Sequence, residues 1–346
     1  MTSLRVLLCD GSRAYAAGLR RVLEYDGDIT VVAVCATAEQ AVAALPRIKP
    51  DLVTMDLELP GMDGLDAVGE IMGSRPLPIL VLSALVSSRS DRAAAALAAG
   101  ALDARAKDDL DLRDPAGAQA AAFRQRVRTL SRARVIRHPR AMLGARPAAP
   151  GLTHRASVIG MCASAGGPSM LVWLLDALPA DYPIPILIVQ HMAAGFTDGL
   201  IRWLDQTVRI PVRVASAGAR IAAGAWVAPE GAHLKLEAAG RLVHDRHTVA
   251  GLHRPSGDVL LGSIAAIAGR AGVAVVLSGM GRDGAAGAAA VRRSGGLAIA
   301  QDEQSSAVFG MPKAAIDLGI DVVLPPAQIA SCLLALHHQR LSGIRG

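Results

Sequence analysis

The chain has 346 residues, more than one hydrophobic core usually serves, since cores stop growing near roughly 250–300 residues and domains average about 150. Hydrophobic residues make up 52% and charged residues 19%, a balance that excludes a disordered or fibrous protein. The net charge of +6 comes from one segment: nine arginines and no acidic residue lie between Pro115 and Leu175, and without those nine the chain would be slightly acidic.

In chain order, the first half alternates short apolar runs with helix-length segments. Strands are predicted at 5–9, 29–35, 52–55, 79–83 and 102–106, separated by stretches such as AYAAGLRRVL and EQAVAALPRI whose apolar residues recur at helical spacing. Five βα units imply a parallel sheet covered on both faces, and such sheets place their ligands beyond the carboxyl ends of the strands. The residues there are Asp10, Asp56, Ser83 and Lys107, all polar. Any one of them could simply cap a helix or open a turn; four together point to a site.

These segments carry a resemblance. VLLCDGS at the first strand end, VTMDLELPGMDG around the third, LSA at the fourth and GALDARAK at the fifth are similar to the response-regulator receiver domain, over residues 4 to about 125. The resemblance implies a flavodoxin-like α/β fold with a five-stranded parallel sheet. It further implies Asp56 as phosphoacceptor, Ser83 and Lys107 as phosphoryl-binding residues, Mg²⁺ held by Asp10 and Asp56, and a histidine kinase as phosphodonor. The family usually has two adjacent acids after the first strand. Here the pair reads Asp10-Gly11, so one expected Mg²⁺ ligand is missing; Asp108 stands in place of the usual Pro, and Ala104 in place of the usual aromatic.

An Arg/Pro-rich linker is expected over 126–152, ending in Arg-Pro-Ala-Ala-Pro-Gly, with a second domain over 153–346. That domain opens on a buried-strand run, then Ser164-Ala-Gly-Gly-Pro, then an apolar-periodic helix whose first turn takes Pro168. Neither GxxxxGK[ST] nor GxGxxG follows Gly160 at this turn, and the residue two before Ser164 is Cys162 rather than the Gly of a hydrolase elbow. Strands at 184–190 and 271–277 follow, the first ending at His191 and the second leading through SGMGRDGAAG to Asp283. A serine, a histidine and an aspartate at the carboxyl ends of parallel strands are the parts of a nucleophile, a base and an orienting acid.

VIGMCASAGGP, LIVQHMAAGFT, WVAPEGAHLKL, HRPSGDVLLGSIA, VVLSGMGRDGAAG and AQDEQSSAVFGMPKAAID are similar, in that order, to the catalytic domain of the chemotaxis protein-glutamate methylesterase family, CheB. The likeness spans 156 to about 330, and receiver, linker and esterase is also that family's order. It implies a doubly wound α/β domain that hydrolyses glutamyl γ-methyl esters on methylated chemoreceptors and deamidates receptor glutamines, regulated by the receiver and without a cofactor of its own. Ser164 would be the nucleophile, His191 the base, Asp283 the orienting acid and the Met280 backbone N–H part of the oxyanion hole. Ala165 replaces a Thr common in the family. The alternative is a non-catalytic response regulator that docks receptors as a scaffold.

The remaining signals are bland. No CxxC pair joins Cys9, Cys35, Cys162 and Cys332, which reads as reduced core residues in a cytoplasmic protein. Neither a membrane-inserted segment nor a nucleic-acid motif is expected, and three each of Phe, Trp and Tyr leave little for base stacking. His244, His247 and His253 read as a solvated loop, with His253 bordering the cleft.

Overall fold

The computed structural model describes residues 3–84, 87–135, 154–249 and 253–342. Two compact units divide the chain. In the first, strands β1 (Leu4–Cys9), β2 (Ile29–Cys35), β3 (Leu52–Asp56), β4 (Ile79–Ser83) and β5 (Asp103–Ala106) alternate with helices α1 (Arg13–Glu24), α2 (Ala38–Ile48), α3 (Gly64–Ser74), α4 (Ser87–Ala98) and α5 (Ala118–Ser131). The sheet order is β2-β1-β3-β4-β5, every ladder parallel. Every residue of β3 and β4 is buried, which is why these strands read as unbroken apolar runs rather than as alternation. Order reverses between β1 and β3, so their carboxyl ends flank the crevice where such sheets bind ligands.

Local chemistry agrees with these boundaries. Ser12 and Thr37 cap α1 and α2 by accepting the Tyr15 and Gln40 N–H groups, and Asp63 caps α3 through Leu65 N–H at 2.9 Å. Gly64 permits the close approach of α3 to β3: a Cβ there would stand 2.1 Å from the Asp56 carbonyl oxygen. Helix α5 runs to Ser131, beyond the boundary expected at 125. Its Arg124 is buried and ion-paired to Asp26, and Arg128 pairs with Asp26 and Asp28. Part of the arginine-rich stretch is therefore structural helix, not solvated linker; the expected linker from 136 onward lies outside the described residues.

The second unit contains β6 (Val158–Ala163), α6 (Gly167–Asp176), β7 (Ile186–Gln190), α7 (Thr197–Thr207), β8 (Val212–Val214), β9 (Ala225–Val227), β10 (His233–Glu237), β11 (Arg241–Asp245), α8 (Gly257–Ala268), β12 (Gly272–Val276), α9 (Ala285–Arg293), β13 (Leu297–Gln301), α10 (Gly310–Asp317), β14 (Val322–Leu324) and α11 (Pro326–Ser342). Seven parallel strands run β14-β13-β12-β6-β7-β9-β8, with β10 and β11 forming a separate antiparallel hairpin. The chain starts this sheet in its middle at β6, builds outward through β7, and returns to add β12 on the other side. The switch point therefore lies at the carboxyl ends of β6, β7 and β12. Buried Leu187, Val189, Leu260, Leu261, Ile264, Val276 and Val291 form the core beneath it. Burial of each such side chain is worth about 1.5–3 kcal/mol.

The histidine-rich stretch departs from a solvated loop. His244 lies within β11, opposite Leu234, and its Nε2 is 2.5 Å from the Ala215 carbonyl. The strand continues into the motif through its pairing with β10, as far as Asp245 opposite His233.

Candidate active site

Ser164 follows β6 directly. Its N–H donates to the Ser278 carbonyl at 3.0 Å, and its carbonyl accepts the Gly167 N–H at 2.8 Å. The chain then turns through Gly166, whose φ of +73° is open to glycine and strained for other residues. A Cβ at Gly166 would also stand 2.7 Å from the Ala307 Cβ. The result fixes the main chain of Ser164 at the N-terminal end of α6, with the residue almost wholly buried.

His191 follows β7, one strand over, and its N–H donates to the Ala163 carbonyl at 2.9 Å. Gln190 joins the two strand ends further, since its Nε2 donates to the Ser164 carbonyl at 2.9 Å and to the His191 carbonyl at 2.8 Å. The imidazole Nε2 lies 2.7 Å from Asp283 Oδ2. Its Nδ1 is buried and has no hydrogen-bond partner among the described residues, so no such bond joins it to the Ser164 hydroxyl. The His253 ring stacks on His191 at 4.1 Å between centroids and 14° between planes, shielding it from one side.

Asp283 is the most heavily bonded member. Oδ1 accepts from the Ser256 hydroxyl at 2.7 Å and the Asp258 N–H at 3.0 Å, and Oδ2 accepts the Gly257 N–H at 2.6 Å besides facing His191. Burial alone would raise its pKa, yet the hydrogen bonds from His191, the Asp258 amide, Ser256 and the Gly257 amide outweigh it and hold the carboxyl well below the usual carboxylate range. Asp283 is thus a fixed anion positioned to orient and charge-balance an imidazole.

The turn after β12 runs against the serine. A Cβ on Gly279 would stand 2.8 Å from Ser164 Cβ, so this position admits no side chain. Met280 follows, half-buried. Behind it Gln301 Oε1 accepts the Ser278 N–H at 2.8 Å, and the Ser278 hydroxyl donates to the Ala165 carbonyl at 2.8 Å. Sequence reasoning left Gln301 without a role; its amide braces the turn that carries Met280. Gln190, Ser256 and Ser278 each lie three residues into a family-like segment, and sequence reasoning gives none of them a role.

In the first unit three of the four strand-end residues, Asp10, Asp56 and Lys107, converge. The Lys107 ammonium lies 2.6 Å from Asp10 Oδ2 and 2.7 Å from Asp56 Oδ2, and 4.7 Å above the Tyr15 ring centroid. Asp56 Oδ1 accepts the Glu58 N–H at 3.0 Å, and Asp10 Oδ1 the Ser12 N–H at 2.8 Å. Ser83 is buried at the end of β4, its hydroxyl directed to the Ala84 carbonyl at 3.4 Å. Burial pushes the Asp56 pKa up, helped by the like charge of Asp10 and opposed by Lys107. Burial would lower that of Lys107, but the two carboxylates raise it, so the ammonium stays charged. Asp10 and Asp56 offer the hard oxygen ligands Mg²⁺ prefers. No group of three or more His, Cys, Asp or Glu side chains gathers around a common point among the described residues. The described residues thus bring two acids to this point, both paired with Lys107.

Among the described residues no helix is long and apolar enough to cross a membrane. The CheB methylesterase family model matches residues 159–333, and the response regulator receiver domain model matches residues 6–111. A protein-glutamate methylesterase/protein-glutamine glutaminase of Anaeromyxobacter dehalogenans is 41% identical over 337 residues, covering 96% of this chain and 97% of its own length. The protein of the same name from Salmonella choleraesuis is 36% identical over 342 residues, covering 97% of each chain. The crystal structure of the Thermotoga maritima CheB methylesterase catalytic domain is 38% identical, with a TM-score of 0.51, and covers 52% of this chain and 98% of its own. The chain belongs to the CheB methylesterase family, with a response regulator receiver domain ahead of the methylesterase domain.

Proposed function

We propose that the second unit hydrolyses glutamyl γ-methyl esters on chemoreceptors through Ser164, His191 and Asp283, and deamidates receptor glutamines at the same site. The observation that carries this reading is the buried His191–Asp283 pair at 2.7 Å, set beside a serine whose main chain is pinned on both sides. Because Asp283 holds Nε2, the ring nitrogen left for the serine is Nδ1. In this reading that contact forms with substrate bound, as catalytic hydrogen bonds often tighten only then.

In the reaction, Nδ1 takes the Ser164 proton as Oγ bonds to the ester carbonyl carbon. Negative charge on the carbonyl oxygen is received by the Met280 N–H and the N-terminal end of α6. Nδ1 then returns the proton to the departing methoxide, releasing methanol and leaving a glutamyl-serine ester. Water, deprotonated by the same nitrogen, attacks that ester to give glutamate and free serine. With glutamine the leaving group is ammonia, whose nitrogen must first be protonated by the imidazolium, which makes the step slower. Purified chain incubated with methylated receptor membranes should release methanol; no release above the membrane blank would overturn the assignment.

The receiver supplies regulation in this reading, with Asp56 accepting a phosphoryl group from a histidine kinase, Ser83 following it and Lys107 pairing with it. When bound by Asp10 and Asp56, Mg²⁺ would neutralise the phosphoryl oxygens. A fragment beginning at Pro147 should then hydrolyse esters faster than the unphosphorylated full chain, by roughly 5- to 150-fold for a coupling of about 1–3 kcal/mol. Equal kcat/KM for the two would remove the receiver from control.

Gly11 gives a second test. A Cβ there would lie 3.7 Å from the Glu58 carbonyl oxygen and from Pro60 Cδ, ordinary contact distance, so the backbone need not move to admit one. Gly11→Asp adds an oxygen ligand and should tighten Mg²⁺ binding on the order of tenfold, about 1.4 kcal/mol. It should also speed acid-labile labelling of Asp56 by a small-molecule phosphodonor. Calorimetric titration showing equal affinity in both proteins would mean that two carboxylates suffice.

A further inference from the structure

Helices α8 and α9 meet through glycines. A Cβ on Gly257 would stand 2.6 Å from Cys162 Sγ and 3.2 Å from Gly284 Cα. One on Gly287 would stand 2.9 Å from the Asp258 carbonyl oxygen and 3.0 Å from its Cα. With no side chains between them, the first turns of the two helices lie backbone to backbone, and across this contact they exchange carboxylates. Asp283, just ahead of α9, accepts from Ser256, Gly257 and Asp258 at the start of α8. Asp258, in the first turn of α8, accepts the Gly287 N–H of α9 at 2.8 Å, and the Gly284 and Ala286 amides add to it. Each acid thus satisfies the open N–H groups, and meets the positive end of the dipole, of the other's helix.

The arrangement ties the acid that faces His191 to a second acid with no place in the Ser, His, Asp set. Asp283 cannot shift without uncapping α8. The segment that carries it cannot shift without losing Asp258. We propose that Asp258 is a positioning residue for ester hydrolysis: by holding the start of α9 against α8 it fixes Asp283, and through Asp283 the orientation of His191. This rests on the reading of Ser164, His191 and Asp283 as the reacting set. Asp258 itself is half-buried, and burial followed by the Asp283 charge raises its pKa against the pull of the Gly287 amide. The other titratable groups near the pair are His191 beyond Asp283, His233 of β10, whose Nδ1 accepts the Ser256 N–H at 3.1 Å, and the Cys162 thiol of β6. Burial holds that thiol neutral.

The test uses the full chain with Asp258→Asn, Asp258→Ala and Ser164→Ala, following methanol release from methylated receptor membranes across pH together with each melting midpoint. Asn keeps one acceptor for Gly287 and removes the charge, so it should fold even if Ala does not. The expected result is a kcat lower on the order of 10- to 100-fold in the Ala variant and less in the Asn variant, with KM changed by under about threefold. The acid limb of kcat/KM should also move to lower pH in both, because a negative charge that favours the imidazolium is gone. A lowered melting midpoint with kcat and the acid limb both unchanged, at a temperature where the variant is folded, would show a purely structural residue and overturn the proposal. Ser164→Ala separates this from the underlying reading. If it is inactive while Asp258→Asn matches wild type, the positioning role alone fails; if it is active, the triad fails and this role with it.

Discussion

Ser164→Ala is expected to lower kcat for methyl ester hydrolysis by on the order of 10⁴- to 10⁶-fold while leaving the fold as it is. The contacts that hold residue 164 in place are made by its N–H and carbonyl, to Ser278, Gly167 and Gln190. None of them uses the hydroxyl. Alanine keeps the Cβ that lies against Gly279, so no cavity of consequence opens. The melting midpoint should therefore stay within a few degrees of wild type, as for substitutions worth less than about 0.5 kcal/mol. His191→Ala should lose comparable activity, since nucleophile and base act as a unit. Methanol release read against circular dichroism decides the matter: a Ser164→Ala protein retaining more than about a tenth of wild-type turnover would exclude serine as the attacking group.

The pairing of Asp283 with Nε2 changes which atom does the work. Where an acid holds Nδ1, the serine is served by Nε2, as in the familiar triad. Here the assignments exchange. The His253 ring stacked on it covers one face of the imidazole, and in the proposed reaction the same nitrogen accepts the proton from Ser164 and returns it to the leaving group.

How far this was legible in the sequence follows from the kind of contact involved. The strand ends were legible because fully buried parallel strands leave unbroken apolar runs, and the polar residue that ends each run then stands out; Asp10, Asp56, Ser83, Ser164 and His191 were all found this way. Asp283 was found from its position after the 271–277 run. The Asp10–Lys107 and Asp56–Lys107 pairs follow once the sheet order brings those ends together. What stayed hidden depends on side chains reaching between segments far apart in the chain. Ser256 caps α8 and looks like any helix cap, and nothing local says that its hydroxyl also donates to a carboxylate 27 residues on. Gln190 is the last residue of its strand and stands beside the more conspicuous His191, yet its amide is the link between two strand ends. Asp258 resembles an ordinary acid in a first helical turn until α9 is placed beside it. His244 was misjudged because three of the five residues of Arg241–Asp245 are polar or charged, a composition that strand and loop share.

Asp283→Asn should lower kcat on the order of 10⁴-fold, through the wrong tautomer rather than through lost attraction alone. Four donors converge on this carboxylate: the Ser256 hydroxyl, the Gly257 and Asp258 amides and His191 Nε2. An asparagine brings one acceptor oxygen and one NH₂. If its oxygen serves the start of α8, where two amides cannot change their character, its NH₂ faces the imidazole, the one partner able to become an acceptor. Nε2 then accepts, the ring proton moves to Nδ1, and the nitrogen that should take the serine proton is already occupied. The same substitution should affect stability with a definite pH dependence. The folded-state pKa of Asp283 lies below its unfolded value, so its contribution is fully present above the ordinary carboxylate pKa of about 3.9 and is lost as pH falls through the folded value. The melting midpoint of Asp283→Asn should therefore lie below wild type at pH 7, with the gap narrowing as the pH is lowered into the acid range, whereas Ser164→Ala should track wild type throughout. A gap that stays constant with pH would mean that the carboxylate charge is not what the four donors stabilise.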